Sequence, residues 1–431
     1  MQPAHRRRSV RLAAPLLSAT AIAFAACSAR ESTPPSDAAS LQPANDRPID
    51  ERSARRAAPD LSAADAYSAE HEGDGILVLQ HGAEVHAAFR SGFSAATPHL
   101  LASGTKSFSG IAAALAAADG LLDLDERVSD TIEEWRADDG KRDITVRQLL
   151  SLAAGLESLS ARIDSARSAR AAGITDRAHA SIEARLVAPP GPRFIYGPSS
   201  FYVFGELMRR KFAAAGSDAD VVAYLEQRVF RPLGIAPRFM RDEAGNANLP
   251  GGCRMSARDW AVFGEMVRRG GVHVDATGRE IRILDEARLA ELLRPHGPNA
   301  SYGLTWWLLR SGAPSPEDAL EADLLTDRVE AGGNGPIRRA VRDRLRARAE
   351  REHAEDARHA GADPLPEIVG YMAAGKGKQR LYIVPEHGLT IVRFGAIDGG
   401  RDFDDARFLE LVLTGLGLPG GTGGSGSSGF E

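Results

Sequence analysis

Apolar residues cluster in two stretches near opposite ends of the chain, and each stretch predicts a β-hairpin. In GILVLQHGAEVHAAF (75–89), two mostly apolar runs flank a His81-Gly82 turn. In QRLYIVPEHGLTIVRFG (379–395), two apolar runs flank a turn that contains proline and glycine. Short strand-like runs on either side of a turn signal are typical of hairpins. The sequence therefore predicts an antiparallel sheet to which both ends of the domain contribute strands.

Between the two hairpins, apolar residues mostly recur with the helical period. The predicted helices cover residues 146–152, 201–211, 219–229 and 257–269. A final one in DARFLELVLTGLG (405–417) is closed by glycine. These elements predict an α+β fold, in which an antiparallel sheet formed by N- and C-terminal segments is flanked by helices and carries an inserted, mainly helical region.

Residues 1–26 predict an export signal. A basic start, HRRRSVR (5–11), precedes the apolar run LAAPLLSATAIAFAA (12–26). That run is short for a bilayer span. Cys27 follows it directly, in a pattern that resembles the lipobox of bacterial lipoproteins, which implies lipidation of Cys27 and anchoring to the outer membrane. A plain cleaved signal peptide, with a soluble periplasmic or secreted product, is the alternative.

Composition divides the rest of the chain. Residues 27–66 are rich in Ala, Ser, Pro and charge, and predict a disordered tether that carries the lipid. Residues 67–418 predict the globular domain, with a charged helical insertion at 312–366, and 419–431 predict a flexible Gly/Ser tail. The insertion holds seven arginines between residues 338 and 351, mixed with acidic residues. A solvated helix is the favoured interpretation, and contact with anionic lipid or lipopolysaccharide is the alternative.

Charge and motifs exclude several classes of function. The net charge of −5 gives no reason to expect a nucleic-acid partner. The chain has no G-x-S-x-G elbow and no H-E-x-x-H zinc motif. A phosphate-binding Walker sequence and a dinucleotide fingerprint are also missing. We therefore expect neither a metal nor a cofactor, and the oligomeric state stays open.

Ser103 and Lys106 stand near the start of an Ala-rich run, LASGTKSFSGIAAALAAADG (101–120). Residues three apart share one face of a helix, so the hydroxyl and the ammonium can meet. A serine becomes a nucleophile when a base takes its proton, and lysine serves as a base where burial lowers its pKa. Serine also caps helices, although a capping box has Glu or Gln where Lys106 stands. The spacing alone leaves both interpretations open.

The surrounding sequence resembles the superfamily of serine hydrolases that contains class C β-lactamases, DD-peptidases and related esterases. SGTKSFSGIAAALAAADGLLDLDERVSD resembles the nucleophile region of that superfamily. Further segments follow in the family's order: ITVRQLLSLAAGL (144–156), PPGPRFIYGPSSFYVFGELM (189–208), VFRPLGI (229–235), GGCRMSARDWAVFG (251–264), YGLTWW (302–307) and AAGKGKQRLYIVPEHGLTIVRFG (373–395). The resemblance spans 67–418 and implies a β-lactamase/transpeptidase-like fold.

The resemblance also implies roles for individual residues. Ser103 is then the nucleophile, Lys106 its proton partner, and Tyr196 the general acid and base. The oxyanion hole is implied to be the backbone N–H of Ser103 with one from the strand near Ala374. Three further residues are predicted to contact the substrate: Ser199, Tyr371 and Lys376.

Departures from the family's motifs bear on the substrate. Pro198 stands where the second motif usually ends in Asn, and Ser199 is the available substitute. The third motif aligns with 371–373 but lacks K-T-G or H-x-G, so Lys376, Lys378 or an arginine of the insertion would have to bind a substrate carboxylate. These losses favour an esterase or amidase over a β-lactamase or D-Ala-D-Ala carboxypeptidase.

The predicted function is therefore a serine hydrolase that cleaves a small-molecule ester or amide, or a peptide-like substrate, through an acyl-enzyme on Ser103. Two alternatives of another class remain at this point. One is a weakly or non-catalytic lipoprotein that binds a component of the cell envelope. The other is a structural adaptor that acts through the arginine-rich insertion.

Overall fold

The computed structural model describes residues 59–311, 367–400 and 402–419. The described residues belong to one unit of the chain, Ala58–Glu431. The predicted export signal with Cys27, most of the tether, the charged insertion and the tail after 419 lie outside the described residues. In the part that the structure describes, no helix combines the length and apolar character that crossing a bilayer requires.

Strands near both ends of the described ranges enclose a mainly helical middle. The strands are β1 (Gly73–Gln80), β2 (Ala83–Phe89), β3 (His99–Leu100), β4 (Arg238–Phe239), β5 (Cys253–Met255), β6 (Val272–Val274), β7 (Glu280–Arg282), β8 (Trp307–Arg310), β9 (Ile368–Gly375), β10 (Gln379–Val384) and β11 (Leu389–Gly395). The α-helices are α1 (Ser62–Glu70), α2 (Ser107–Ala118), α3 (Val146–Leu150), α4 (Ser160–Ile163), α5 (Ala166–Ala171), α6 (Arg177–Ile182), α7 (Ser199–Ala214), α8 (Val221–Leu225), α9 (Arg231–Leu233), α10 (Ala257–Arg268), α11 (Glu286–Leu292) and α12 (Asp405–Gly415). Tighter or wider turns of helix occupy Ala102–Lys106, Val128–Asp130, Glu133–Trp135, Pro385–His387 and, as a π-helix, Glu226–Phe230.

Six strands form the main sheet, in the order β2-β1-β11-β10-β9-β8. Neighbouring strands are antiparallel throughout. The first hairpin, β1 with β2, joins the last one, β10 with β11, through a β1–β11 register that runs from Gly73 opposite Gly395 to Gln80 opposite Leu389. Both predicted hairpins and the α+β fold with a sheet built from both ends of the domain are confirmed.

Helices cover both faces of this sheet. Leu381 and Tyr382 are consecutive on β10, so their side chains point to opposite faces. A Cβ on Gly264 of α10 would come within 2.6 Å of Leu381, which shows how closely α10 packs on one face. On the other face, Phe408 of α12 lies 5.8 Å from the Tyr382 ring. Burial on both faces explains why β10 and β11 contain so many consecutive apolar residues.

Two predicted boundaries need correction. The folded domain begins before residue 67, because α1 starts at Ser62 and buries Leu61 and Ala64. Its small apolar face, made largely of alanine, left no periodic signal in the sequence. The helix predicted at 219–229 is α8 continued by the π-helical turn, where the wider hydrogen-bond pattern changes which residues face the core.

Replacing Phe408 with Ala tests the packing of α12 on the sheet. The Phe408 side chain is fully buried against Tyr382 and Phe403. Its loss should lower the free energy of unfolding by about 3–5 kcal/mol, because the cavity removes both burial and contacts. Urea unfolding measures this. Glu410→Ala on the surface of the same helix is the matched control, and equal stability of the two variants would contradict the packing described here.

Candidate active site

A short turn carries Ser103 out of the small sheet formed by β3, β5 and β4. The backbone N–H of Leu101 donates to the Cys253 carbonyl at 2.9 Å, which ties the start of the turn to β5. Ala102 then has a φ of +47°, a left-handed conformation that is rare for a residue with a side chain. Gly104 is required next, since a Cβ there would lie 2.9 Å from the Trp260 ring. The turn continues into the buried helix α2.

Lys106 and Ser103 meet at the base of this turn. The Lys106 ammonium donates to Ser103 Oγ at 3.1 Å and to the Pro250 carbonyl at 2.8 Å. Lys106 is 5% exposed and lies over the rings of Tyr196 and Phe201, at 4.7 and 5.3 Å from their centroids. Neither the 3₁₀ turn nor α2 has a side-chain cap. The alternative that Ser103 is a helix cap is therefore wrong.

Tyr196 reaches the same place from a distant part of the chain. Its segment runs along residues 152–158: Ile195 N–H donates to the Leu152 carbonyl at 2.8 Å. Gly197 approaches Ser158 so closely that a Cβ would lie 2.3 Å from the serine Oγ. The Tyr196 ring is half-buried and packs beside Trp307, with centroids 6.0 Å apart. The structure thus brings together Ser103, Lys106 and Tyr196, the three residues predicted to carry the chemistry.

Aromatic rings form the wall of the site beside Tyr196. Tyr302 lies 4.7 Å from Trp307 and 5.1 Å from Phe194, measured between ring centroids. Burial, with a smaller contribution from Tyr196, raises the pKa of Tyr302 well above its ordinary value, so its phenol stays neutral. Tyr302 and Trp307 are buried, so the wall is an uncharged packing layer beside Tyr196, and of the three rings only that of Phe194 is partly exposed.

The end of β9 forms the opposite boundary. A Cβ on Gly375 would lie 2.1 Å from the Leu101 carbonyl oxygen and 3.1 Å from the Gly104 nitrogen. Only glycine permits so close an approach of two backbones. Ala374, predicted to supply an oxyanion-hole N–H, directly precedes this contact on the strand. Its hydrogen bond to a substrate stays a prediction.

The three residues predicted to contact the substrate, Ser199, Tyr371 and Lys376, have partners within the protein. Ser199 is 2% exposed, and its hydroxyl donates to the Glu157 and Ser158 carbonyls at 2.6 and 2.8 Å. Its proton therefore supports the loop that holds Tyr196, and Ser199 does not replace the missing Asn as a donor to substrate. The lone proton of a hydroxyl cannot serve both purposes.

Tyr371 lies within β9, and Lys376 directly follows this strand. Tyr371 lies inside the sheet between Leu308 and Ile383, four residues before the contact at Gly375, which is about 13 Å along a strand. The part of β9 that faces the Ser103 turn is therefore later than the alignment at 371–373. The Lys376 ammonium forms an exposed ion pair with Asp398. Its contact with a substrate carboxylate stays a prediction.

Comparison with known proteins identifies the family. The sequence profile of the β-lactamase family matches residues 53–414, most of the chain. The chain belongs to the β-lactamase family. No curated protein sequence matches it significantly.

Solved structures of β-lactamase-family hydrolases share the fold at low identity. A provisionally identified 6-aminohexanoate-dimer hydrolase from Bacillus anthracis is 17% identical, with 82% of this chain and 79% of that chain covered and a TM-score of 0.57. A D-stereospecific amidohydrolase from Streptomyces sp. is 15% identical, covering 83% and 98%, with a TM-score of 0.53. EstCE1, a hydrolase with promiscuous acyltransferase activity, is 17% identical, covering 83% and 97%, also at 0.53. Identities this low establish the fold.

Sequence reasoning missed two parts of this β-lactamase-family site. The Pro250 carbonyl holds the Lys106 ammonium, and a backbone carbonyl leaves no mark on residue type. The aromatic wall draws on Phe194, Tyr302 and Trp307. Their sequence segments resemble those of the family, but spacing along the chain does not show that the three rings meet beside Tyr196.

Ser199→Ala distinguishes a supporting role from substrate binding. Removing the hydroxyl leaves two buried carbonyl oxygens without this donor, so the free energy of unfolding should fall by about 1–3 kcal/mol. Denaturant unfolding measures the loss. An unchanged stability together with a raised KM would show instead that Ser199 binds substrate.

Proposed function

We propose that this protein is a serine acyl hydrolase that cleaves an ester or amide through an acyl-enzyme on Ser103. The observation that carries the proposal is the convergence of Ser103 and Lys106, which lie on one turn, with Tyr196 from a distant part of the chain. A serine within hydrogen-bond reach of a basic group is the arrangement that activates a hydroxyl nucleophile. The fold shared with an amidohydrolase and an esterase-like hydrolase supports the same reaction class.

The reaction would proceed in two steps. Ser103 Oγ attacks the substrate carbonyl carbon while its proton passes to the Lys106–Tyr196 pair. Collapse of the tetrahedral intermediate breaks the bond to the leaving alcohol or amine, which takes up that proton. Water then attacks the acyl-enzyme, gives a proton to the same pair, and releases the acid as Ser103 is reprotonated.

The negative charge of the tetrahedral intermediate needs donors that are already in place. The Ser103 backbone N–H, in the strained turn after Ala102, is one proposed donor. A second comes from the end of β9 near Ala374, where the close contact at Gly375 brings the strand against the turn. Two rigid backbone groups would thus hold the oxyanion without reorganising.

A substrate without a free carboxylate suits this site better than a penicillin or a D-Ala terminus. Ala373 and Ala374, at the end of the strand that faces the Ser103 turn, carry neither a cationic nor a hydroxyl side chain, and Lys376 pairs with Asp398. Phe194, which is partly exposed beside Tyr196, favours an apolar acyl or leaving group. We propose export of the enzyme and its anchoring at Cys27 on the strength of the N-terminal sequence alone.

Covalent labelling tests the nucleophile. A fluorophosphonate probe should modify the wild type at Ser103, as mapped by intact mass and peptide analysis, and should leave Ser103→Ala unmodified. Ser94→Ala, an exposed serine in another loop, should label like the wild type. A folded wild type that resists every serine-directed probe would instead support a non-catalytic, envelope-binding lipoprotein.

Two buried lysines provide a matched test of the base. Lys106 and Lys141 are 5% and 7% exposed, and each lies over an aromatic ring. Lys106→Met should reduce kcat on a p-nitrophenyl ester by about 100-fold or more, since the hydroxyl loses its proton partner. Lys141→Met should lower stability but keep kcat. Similar turnover in both variants would remove Lys106 from the mechanism.

The preference for uncharged substrates is measurable with one matched pair, a depsipeptide with a free carboxylate and its methyl ester. The methyl ester should have a kcat/KM at least about tenfold higher, because an unpaired carboxylate loses its hydration on binding. A preference for the free carboxylate would favour the β-lactamase or D-Ala-D-Ala carboxypeptidase alternative.

A further inference from the structure

The turn between β9 and β10 carries the strand end that touches the Ser103 turn. It runs from Gly375 to Gln379, which are opposite one another in the β9–β10 register. Gly377 and Lys378 both have positive φ angles, of +75° and +54°. A left-handed lysine stores backbone strain and persists only where its surroundings hold it. The position of Gly375 against the catalytic turn therefore depends on what holds this β-turn.

Buried donors hold the β-turn from within. Arg380 Nη1 donates to the carbonyl oxygens of Gly375 and Gln379, at 3.1 Å each. Arg393 Nη1 donates to the Lys378 carbonyl at 2.9 Å and to that of Gly377 at 3.4 Å. Four carbonyl groups of the turn thus accept hydrogen bonds from two guanidinium groups, and the guanidinium that reaches Gly375 belongs to Arg380.

Arg380 is itself held rigidly. Its Nε and Nη2 donate to the two carboxylate oxygens of Asp405, at 2.7 and 3.2 Å. Tyr382 donates its hydroxyl proton to the same carboxylate. Arg380 and Asp405 are 0% and 1% exposed. Burial alone would raise the pKa of Asp405, but the charge and hydrogen bonds of Arg380 outweigh it and bring the pKa to about 2.

The buried charges of this network lose their hydration, which costs free energy and makes the network an inefficient way to stabilise a sheet. Arg380 on β10 stands directly opposite Arg393 on β11, and both are fully buried. Like charges in facing positions repel, and burial lowers the pKa of Arg393 to about 10. Well-packed apolar residues in place of buried ion pairs are often neutral or stabilising. Stability of the sheet therefore does not account for the two buried arginines. Their hydrogen bonds to the carbonyl oxygens of the turn are contacts that apolar residues could not make.

We propose that Arg380, anchored by Asp405, is a positioning residue that sets the end of β9 against the Ser103 turn and so fixes the oxyanion hole. The Arg380 guanidinium donates to the Gly375 carbonyl on one side. On the other side, the backbone of Leu101 and Gly104 limits how closely Gly375 can approach the Ser103 turn. The inference rests on the proposed acyl-transfer function. It assigns Arg380 no contact with substrate.

Arg380→Lys is the informative variant, because lysine keeps the charge beside Asp405 but lacks the fork that also reaches Gly375. We expect kcat on the p-nitrophenyl ester to fall by about tenfold or more with KM within about twofold, since the loss concerns the transition state. An aryl boronic acid, which forms a tetrahedral adduct on the serine, should bind more weakly by the same factor as kcat/KM.

Arg177→Lys is the matched control. Arg177 is also a buried arginine, and it donates to the Tyr202 hydroxyl in the helical region. It should lose stability with little change in kcat or boronate affinity. If Arg380→Lys does not fold, Asp405→Asn removes the anchor while keeping its shape, and should show the same parallel losses to a smaller degree. Assays at pH 7 keep the pair intact, because a carboxyl with a folded-state pKa near 2 and an ordinary value of 3.8 loses its stabilising effect only as the pH falls below about 4.

The outcomes separate the two proposals. A folded Arg380→Lys with lower thermal stability but wild-type kcat and boronate affinity would show that Arg380 is merely structural, and would overturn the positioning role alone. A wild type that neither labels with fluorophosphonate nor hydrolyses esters would overturn the proposed function itself. Parallel losses of kcat/KM and boronate affinity support the positioning role.

Discussion

A buried ammonium group is the constraint on which the rest of this site depends. Lys106 is almost fully removed from water, and a buried charge is tolerated only where partners replace its hydration. Its partners are the Ser103 hydroxyl, the Pro250 carbonyl and the faces of two aromatic rings. These groups come from three segments of the chain, so satisfying one lysine draws together the turn, the loop before β5 and the residues around the start of α7.

Three glycines of the site allow the backbone to pack closely near this charge. Gly104 lies against Trp260, Gly197 against Ser158 and Gly375 against the Leu101 carbonyl, each closer than a Cβ would permit. Such contacts leave little freedom for the backbone that carries Ser103 and Tyr196. The β9–β10 turn is restrained in a similar way. Buried arginines donate to its carbonyl oxygens, and α12 supplies the carboxylate that anchors one of these arginines. Rigidity at the reacting groups thus comes from layers behind them.

Much of the fold could be predicted because its strands and helices repeat a local pattern. The two hairpins follow apolar runs around turn residues, and α7 and α10 follow the helical period nearly to their ends. The start of the domain could not be predicted, since α1 buries mainly Leu61 and alanine. The contact of β9 with the Ser103 turn, at Gly375, lies beyond the predicted alignment at 371–373, because a strand of small and apolar residues offers no chemical landmark for its register.

Three properties follow from the amino-acid sequence without the fold: the nucleophile–lysine spacing, the order of the family-like segments and the sheet built from both ends of the domain. Each depends on neighbours in the chain or on a repeated period. What each side chain faces depends instead on how distant segments pack. That packing turned Ser199 into a support for the tyrosine loop, paired Lys376 with Asp398, and put a carbonyl and aromatic rings around Lys106. Those contacts join residues up to 144 positions apart, and no local pattern records the distance between them.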